Sequence, residues 1–179
     1  MNIFALDKNP IIAARMHCDQ HVPKMIVESA QMLSTAHRVL DGEQYKELSK
    51  SGKRMMTRYR HSKYDDILYK AAYINHPCTV WTRKTLDNYN WLYNLFIELG
   101  NEYCSRYNKV HLTINKLQDI LAHPPENIKD SKQTPFALAV KETPKQEDEI
   151  QAYRLFYKLD KARFATWNKG RAVPEWWNK

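Results

Sequence analysis

Three features of this 179-residue chain predict an all-α fold, a single compact helical domain with a long central helix and irregular loops. Only four glycines are present, at positions 42, 52, 100 and 170, and Asp41-Gly42 is the one strong hairpin dipeptide. A hairpin-rich β fold needs many such turns. Hydrophobic residues make up 43% of the chain, which excludes a disordered polymer and supports one core. Apolar positions also recur at three- and four-residue steps through several long segments. No internal repeat or linker divides the chain, so positions 1–179 read as one domain.

The elements follow in order. Asn9-Pro10 opens a first helix, a capping residue followed by proline at the first helical position. Pro23 kinks that helix or begins a second one, which runs to about Leu40 with Ile26, Ala30, Leu33, His37 and Leu40 in a helical stripe. Between positions 41 and 63 the periodicity fails and Lys46, Lys50, Lys53, Arg54, Arg58, Arg60 and Lys63 accumulate. This reads as a mobile basic loop, with room for a short helix. A third helix is expected at 64–74, ending before Asn75-His76-Pro77, and a long fourth at 79–107 anchored by Trp81, Leu92, Leu95, Phe96 and Leu99. Thr113 is expected to cap a fifth helix that stops at Pro124-Pro125. Positions 123–145 read as loop, 150–167 as the last helix, and 167–179 as a basic, aromatic tail.

Lysine and arginine exceed acidic residues by eight, and the isoelectric point is about 9.3. That surplus suits a polyanionic partner, because each phosphate neutralised releases a counterion. Cys18, Cys78 and Cys104 are an odd number at irregular spacing, so no disulfide framework follows and a reducing, cytoplasmic setting is expected. The first residues carry no signal-peptide pattern and no stretch approaches a membrane span, so no membrane partner is expected. No obligatory protein partner is evident.

One stripe carries the functional argument. His17, His21, Lys24, Glu28, Gln31 and Thr35 step by four, three, four, three and four, and on a continuous helix they share a face. Every member donates, accepts or titrates. One reading is a solvated face with Lys24 and Glu28 as an ordinary i,i+4 pair. The other is a cleft wall in which Glu28, beside Lys24 and His21, is held for acid–base or ion-pair work. A metal reading of His17 and His21 with Cys18 lacks a Cys-x-x-Cys and the glutamate of the hydrolase motif, so no metal is expected. Elsewhere aromatic rings alternate with cations: Trp81, Arg83 and Lys84, then Arg154 between Tyr153 and Tyr157, then Arg171, Trp176 and Trp177 in the tail. Such rings suit stacked bases, and each taken singly also suits a core.

At Asp19-Gln20-His21, followed seven residues later by Glu28, the chain resembles the pyrimidine-dimer DNA glycosylases of the phage endonuclease V type. A weaker similarity lies at positions 75–81, with His76 and Trp81, and in the basic, aromatic tail. The resemblance implies a small, helical, metal-free enzyme with no cofactor that acts on duplex DNA at the glycosidic bond of a damaged or modified pyrimidine. It implies Glu28 as the group that stabilises the cationic sugar, His21 as a phosphate contact or orienter of Glu28, and the N-terminal amine as nucleophile. Substrate contacts are expected from His17, Asp19, Gln20, Lys24, Gln31, His76, Trp81, Arg83, Lys84, Arg154, Arg171 and Trp176. The chain departs from the family at residue 2, where Asn stands for Thr, and at Ile3, which stands for Arg. Asn2 favours retention of Met1, so Met1 or Asn2 supplies the amine and a weak or absent lyase step is expected. The alternatives are a non-catalytic DNA-binding or base-modifying protein, and an enzyme acting on free nucleotides.

Overall fold

The computed structural model describes residues 1–140 and 148–178. It corrects the all-α expectation. The chain forms α1 (Pro10–Met16), α2 (His21–Leu40), strands β1 (Glu43–Leu48) and β2 (Met55–Arg60), then α3 (Pro77–Thr82), α4 (Leu86–Tyr107), α5 (Leu112–Leu121) and α6 (Glu149–Lys161), with a 3-10 turn at Glu175–Trp177. The architecture is mixed and mostly helical. The end of the expected 123–145 loop and Lys179 lie outside the described residues.

The segment expected as a mobile loop is an antiparallel hairpin, with Glu43 opposite Arg60 and Leu48 opposite Met55. Most of its residues are exposed on both faces. The alternation that announces a strand comes from burial of one face, and here that signal is weak. Gly42 turns the chain from α2 into β1. A Cβ there would lie 2.3 Å from the Arg38 carbonyl oxygen and 2.7 Å from that of Arg60, so only glycine fits.

The expected helix at 64–74 does not form, and turns and irregular chain replace it. Its carbonyls serve another partner. Arg38, 3% exposed at the end of α2, donates to the carbonyl oxygens of Tyr59 (2.9 Å), Asp65 (2.7 Å), Leu68 (2.9 Å) and Tyr69 (2.7 Å) and pairs with the Asp65 carboxylate. One guanidinium thus ties the hairpin and the next segment to α2. The expected fourth helix is two: α3 ends at Thr82, and Thr85 caps α4 by accepting the Asn88 N–H at 3.1 Å. The break expected at Pro23 falls earlier. Proline occupies the third position of α2, where its missing N–H has no helical partner to lose, and the chain bends at His17–Gln20 instead.

α2 and α4 pack together as the centre of the fold, with α1, α3 and α5 against them. Val22, Met25, Ile26, Ala30 and Leu33 meet Leu92, Leu95, Phe96 and Leu99, all fully buried. At Gly100 a Cβ would lie 2.8 Å from the Ile114 side chain, so glycine permits the close approach of α5 to α4. Residues 1–8 are no helix, yet Ile3, Phe4, Ala5 and Leu6 are buried and thread this segment through the core. Among the described residues no helix is long and apolar enough to cross a membrane.

Candidate active site

The buried N-terminal segment delivers two nitrogens to Glu28. The Asn2 N–H donates to Glu28 Oε2 at 2.9 Å, and the Met1 amine lies 3.8 Å from the same oxygen. The Lys24 Nζ stands 3.6 Å from Oε1 on the outer side. The Glu28 side chain is 15% exposed, while that of Lys24 is 54% exposed. The segment is held in register by Asn2, whose amide donates to the Ala139 carbonyl at 2.8 Å and accepts the Phe4 N–H at 3.0 Å. Phe4 itself sits at φ +38°, a turn that buries its ring. The Met1 side chain is buried against α3, where Thr79 Oγ1 donates to its sulfur at 3.3 Å.

His76 caps α3 by accepting the Cys78 N–H at 3.2 Å, half-buried beside this site. Burial lowers its pKa, the N-terminal charge lowers it further, and Glu28 opposes both. A carboxylate, a primary amine and an imidazole therefore share one electrostatic neighbourhood. Gln31 is half-buried one turn further along α2, and Thr35 is buried beyond it.

The other expected residues are placed elsewhere. His17 caps the end of α1 rather than extending the stripe. It is fully buried, and its Nδ1 meets the Ala13 carbonyl at 2.7 Å, so the ring proton sits there. Burial lowers its pKa to about 4. His21 is 1% exposed among the rings of Phe4 (5.1 Å), Tyr157 (5.0 Å) and Phe164 (5.5 Å). Neither of its nitrogens has a hydrogen-bond partner, and burial above all lowers its pKa to about 2. It makes no hydrogen bond to Glu28, and burial keeps it from a phosphate. Both rings are neutral and packed.

Asp19 is 4% exposed and belongs to a buried network. Arg106 donates to Asp19 at 3.1 Å, to Glu102 at 3.0 and 2.8 Å, and to the carbonyls of His17 at 2.8 Å and Arg15 at 3.0 Å. Asp19 also accepts the Asn168 N–H at 2.8 Å, and Arg171 forks onto Glu102 at 2.9 and 2.6 Å. The network fastens the α1–α2 junction and the tail to α4. Arg154 donates to the Leu6 carbonyl at 2.8 Å, pairs with Asp7 at 3.2 Å and lies over the Trp176 ring. Trp81 is a core ring crossing Trp91 edge to face, and Arg83 holds the Ile74 carbonyl at 2.8 Å. Gln20 and Lys84 are exposed.

The sequence reading missed a second cluster. His37, Asp41 and His61 each place one donor atom within 4.8 Å of the others, beside a cavity of about 210 Å³ also lined by His123 and Asn127. Tyr89 donates its one hydroxyl proton to the Leu121 carbonyl at 2.9 Å. The 2.9 Å bond from His37 therefore uses an Nε2–H, and its Nδ1 keeps a lone pair. His61 Nδ1 accepts N–H groups from Lys63 and Tyr64 at 3.2 Å, which puts the proton of its neutral ring on Nε2. The Asp41 oxygens accept from Glu126 and Asn127 N–H groups at 2.8 and 3.0 Å. A cation needs lone pairs aimed at one point, and His61 here offers an N–H. The spacing of His37 and Asp41 at i,i+4 was legible; the approach of His61 through the hairpin was not.

Among the nominated residues, the structure brings Glu28, Lys24, Met1, Asn2 and His76 together. Seating of the amine beside Glu28 is the arrangement to explain, and it stands on this chain's geometry, since no protein-family model, no curated protein and no solved structure matches the chain.

Proposed function

We propose that this chain is a DNA N-glycosylase-like enzyme acting at the glycosidic bond of a damaged or modified pyrimidine. One observation carries the reading: the N-terminal segment is buried so that its amine and the Asn2 N–H converge on the Glu28 carboxylate. A carboxylate positioned in this way stabilises positive charge that develops on a sugar carbon as the bond to the base breaks and its electron pair leaves with the base. An adjacent primary amine, once its proton passes to the carboxylate, adds to that carbon and opens the sugar ring to an imine. Without that addition, a water activated by Glu28 completes the displacement as hydrolysis. The basic surplus of the chain supports a polyanionic substrate.

The test combines ultraviolet-irradiated and undamaged duplex with the purified protein, with and without borohydride, and intact-mass analysis of the protein's first residue. Base release from irradiated DNA alone, with a borohydride-trapped adduct on Met1 or Asn2, is the expected result. Release without an adduct selects the hydrolytic route. Tight binding with neither product sinks the enzymatic reading and leaves a DNA-binding protein. A free nucleotide processed with no salt dependence sinks the DNA reading.

A further inference from the structure

The β1–β2 hairpin has two unlike faces. Side chains alternate across a strand and register partners share a face. Tyr45 opposite Arg58 and Glu47 opposite Met56 form the inner face, where Tyr45, Met56 and Arg58 are half-buried and Arg58 pairs with Glu47 at 2.7 Å. Leu48 opposite Met55, Lys46 opposite Thr57 and Gln44 opposite Tyr59 form the outer face. At its far end Leu48 is 61% exposed and Met55 is 57% exposed. The turn beyond them carries Lys50, Lys53 and Arg54, all exposed. The side chains of Lys46, Lys50, Lys53 and Arg54 make no ion pair among the described residues.

Two large apolar side chains at the end of an open two-stranded ribbon are a solubility and edge-pairing liability. Their setting names an occupant. A polyanion complements the four cations around them. The rest of the outer face is polar, so it offers no continuous apolar strip to lie in a bilayer. A two-stranded ribbon fits a duplex groove, and apolar side chains wedged between base steps unstack and kink DNA.

We propose that the hairpin is a DNA arm in which Lys46, Lys50, Lys53 and Arg54 hold phosphates flanking a groove while Leu48 and Met55 wedge against a base step and bend the duplex. The inference rests on the DNA reading above and adds a contact remote from Glu28. From residue 28 to residue 41 is 13 residues of α2 and its cap. At 1.5 Å each that is about 20 Å to the base of the ribbon, the span of about six base pairs, and the six residues of β1 carry Leu48 about another 20 Å outward. Bending between the arm and Glu28 favours extrusion of a nucleotide at the site.

The experiment uses the full chain with a duplex of about 30 base pairs, doubly dye-labelled at its ends, and a series carrying 2-aminopurine at successive positions (persistence length about 150 base pairs, so the free duplex is straight). The wild type is expected to shorten the end-to-end distance and to raise fluorescence at one step. Leu48→Ser with Met55→Ser, both at exposed positions, is expected to abolish the bend and the fluorescence rise while duplex binding remains. Lys50→Ala with Lys53→Ala is expected to lower the slope of log affinity against log salt by about two. A wild type that binds without bending, or a Leu48→Ser/Met55→Ser variant that bends equally, overturns the arm and leaves the DNA reading standing. A wild type that binds no duplex at 50 mM salt overturns both. Tighter binding of phosphatidylserine vesicles than of duplex, lost in the same serine variant, assigns the hairpin to a membrane surface and overturns the arm.

Discussion

Glu28 is held from both sides. Lys24 faces it from the solvent side at 3.6 Å, and the N-terminal segment faces it from the interior with a 2.9 Å N–H bond. Glu28→Gln keeps the shape and removes the charge, so base release is expected to fall at least about a hundredfold. Duplex affinity is expected to stay within about threefold of wild type, since the phosphate contacts of the ribbon are intact. Single-turnover release and a binding isotherm measure the two; equal loss of both would remove Glu28 from the chemistry. His21 belongs to the packing. Its folded pKa near 2 lies below the unfolded value of 6.5, so the unfolded chain takes up the proton first. The stability from a neutral His21 is therefore complete above pH 6.5 and is lost as pH falls below it, at up to about 1.4 kcal/mol per pH unit. His17, with a folded pKa near 4, adds a similar loss over pH 6.5 to 4. His21→Phe fits the aromatic surroundings and is expected to flatten this acid slope in urea unfolding from pH 7 to 5 without reducing base release. An unchanged slope would mean that His21 is solvated in solution.

At the scale of elements, two buried arginines organise the chain where secondary structure alone does not. Arg106 has all five N–H groups engaged across α1, the α1–α2 bend and α4. Arg106→Met leaves Asp19 without an ion-pair partner in the interior and Glu102 with Arg171 alone, and is expected to cost about 3–5 kcal/mol. Differential denaturation curves check this, and a loss under 1 kcal/mol would show that water reaches the network. Arg38 plays the corresponding part for the hairpin. Arg38→Met orphans carbonyls at Tyr59, Asp65, Leu68 and Tyr69, at a cost of about 1–3 kcal/mol for each that water does not reach. Hydrogen exchange in β2 and residues 61–70 is expected to accelerate well before that in α4. Uniform acceleration would mean that the hairpin and the helical core unfold as one unit.

At the scale of the molecule, the cations divide into those tied into the fold and those that face outward. Arg38, Arg106, Arg154 and Arg171 are engaged inside or across the body, whereas the ribbon presents Lys46, Lys50, Lys53 and Arg54 outward. Four phosphate contacts there give a salt slope of about −3.6, a loss of roughly 150-fold in affinity between 50 and 200 mM salt. Titration of a labelled duplex at several salt concentrations measures the slope. A slope shallower than about −1 would place the chain's ligand among small anions rather than polymers.

The sequence by itself determined the helices that carry their own caps and apolar stripes. Asn9-Pro10 opens α1, the Ile26–Ala30–Leu33 stripe runs through α2, and the anchors of α4 are buried as their spacing requires. It also marked Glu28 as the carboxylate to watch, because a charged residue beside an apolar stripe shows in a single helix. Tertiary structure alone decided the rest. The hairpin has little one-sided burial and so little periodic signal, and residues 64–74 give up helix because their carbonyls bind Arg38 from another element. The same holds for the site: His21 is caged by rings from distant segments, and the amine reaches Glu28 across 26 intervening positions because Ile3 to Leu6 are buried in the core. Periodicity reports which face of an element is buried, and it cannot report what meets that face; the packing of other segments against α2 made that choice.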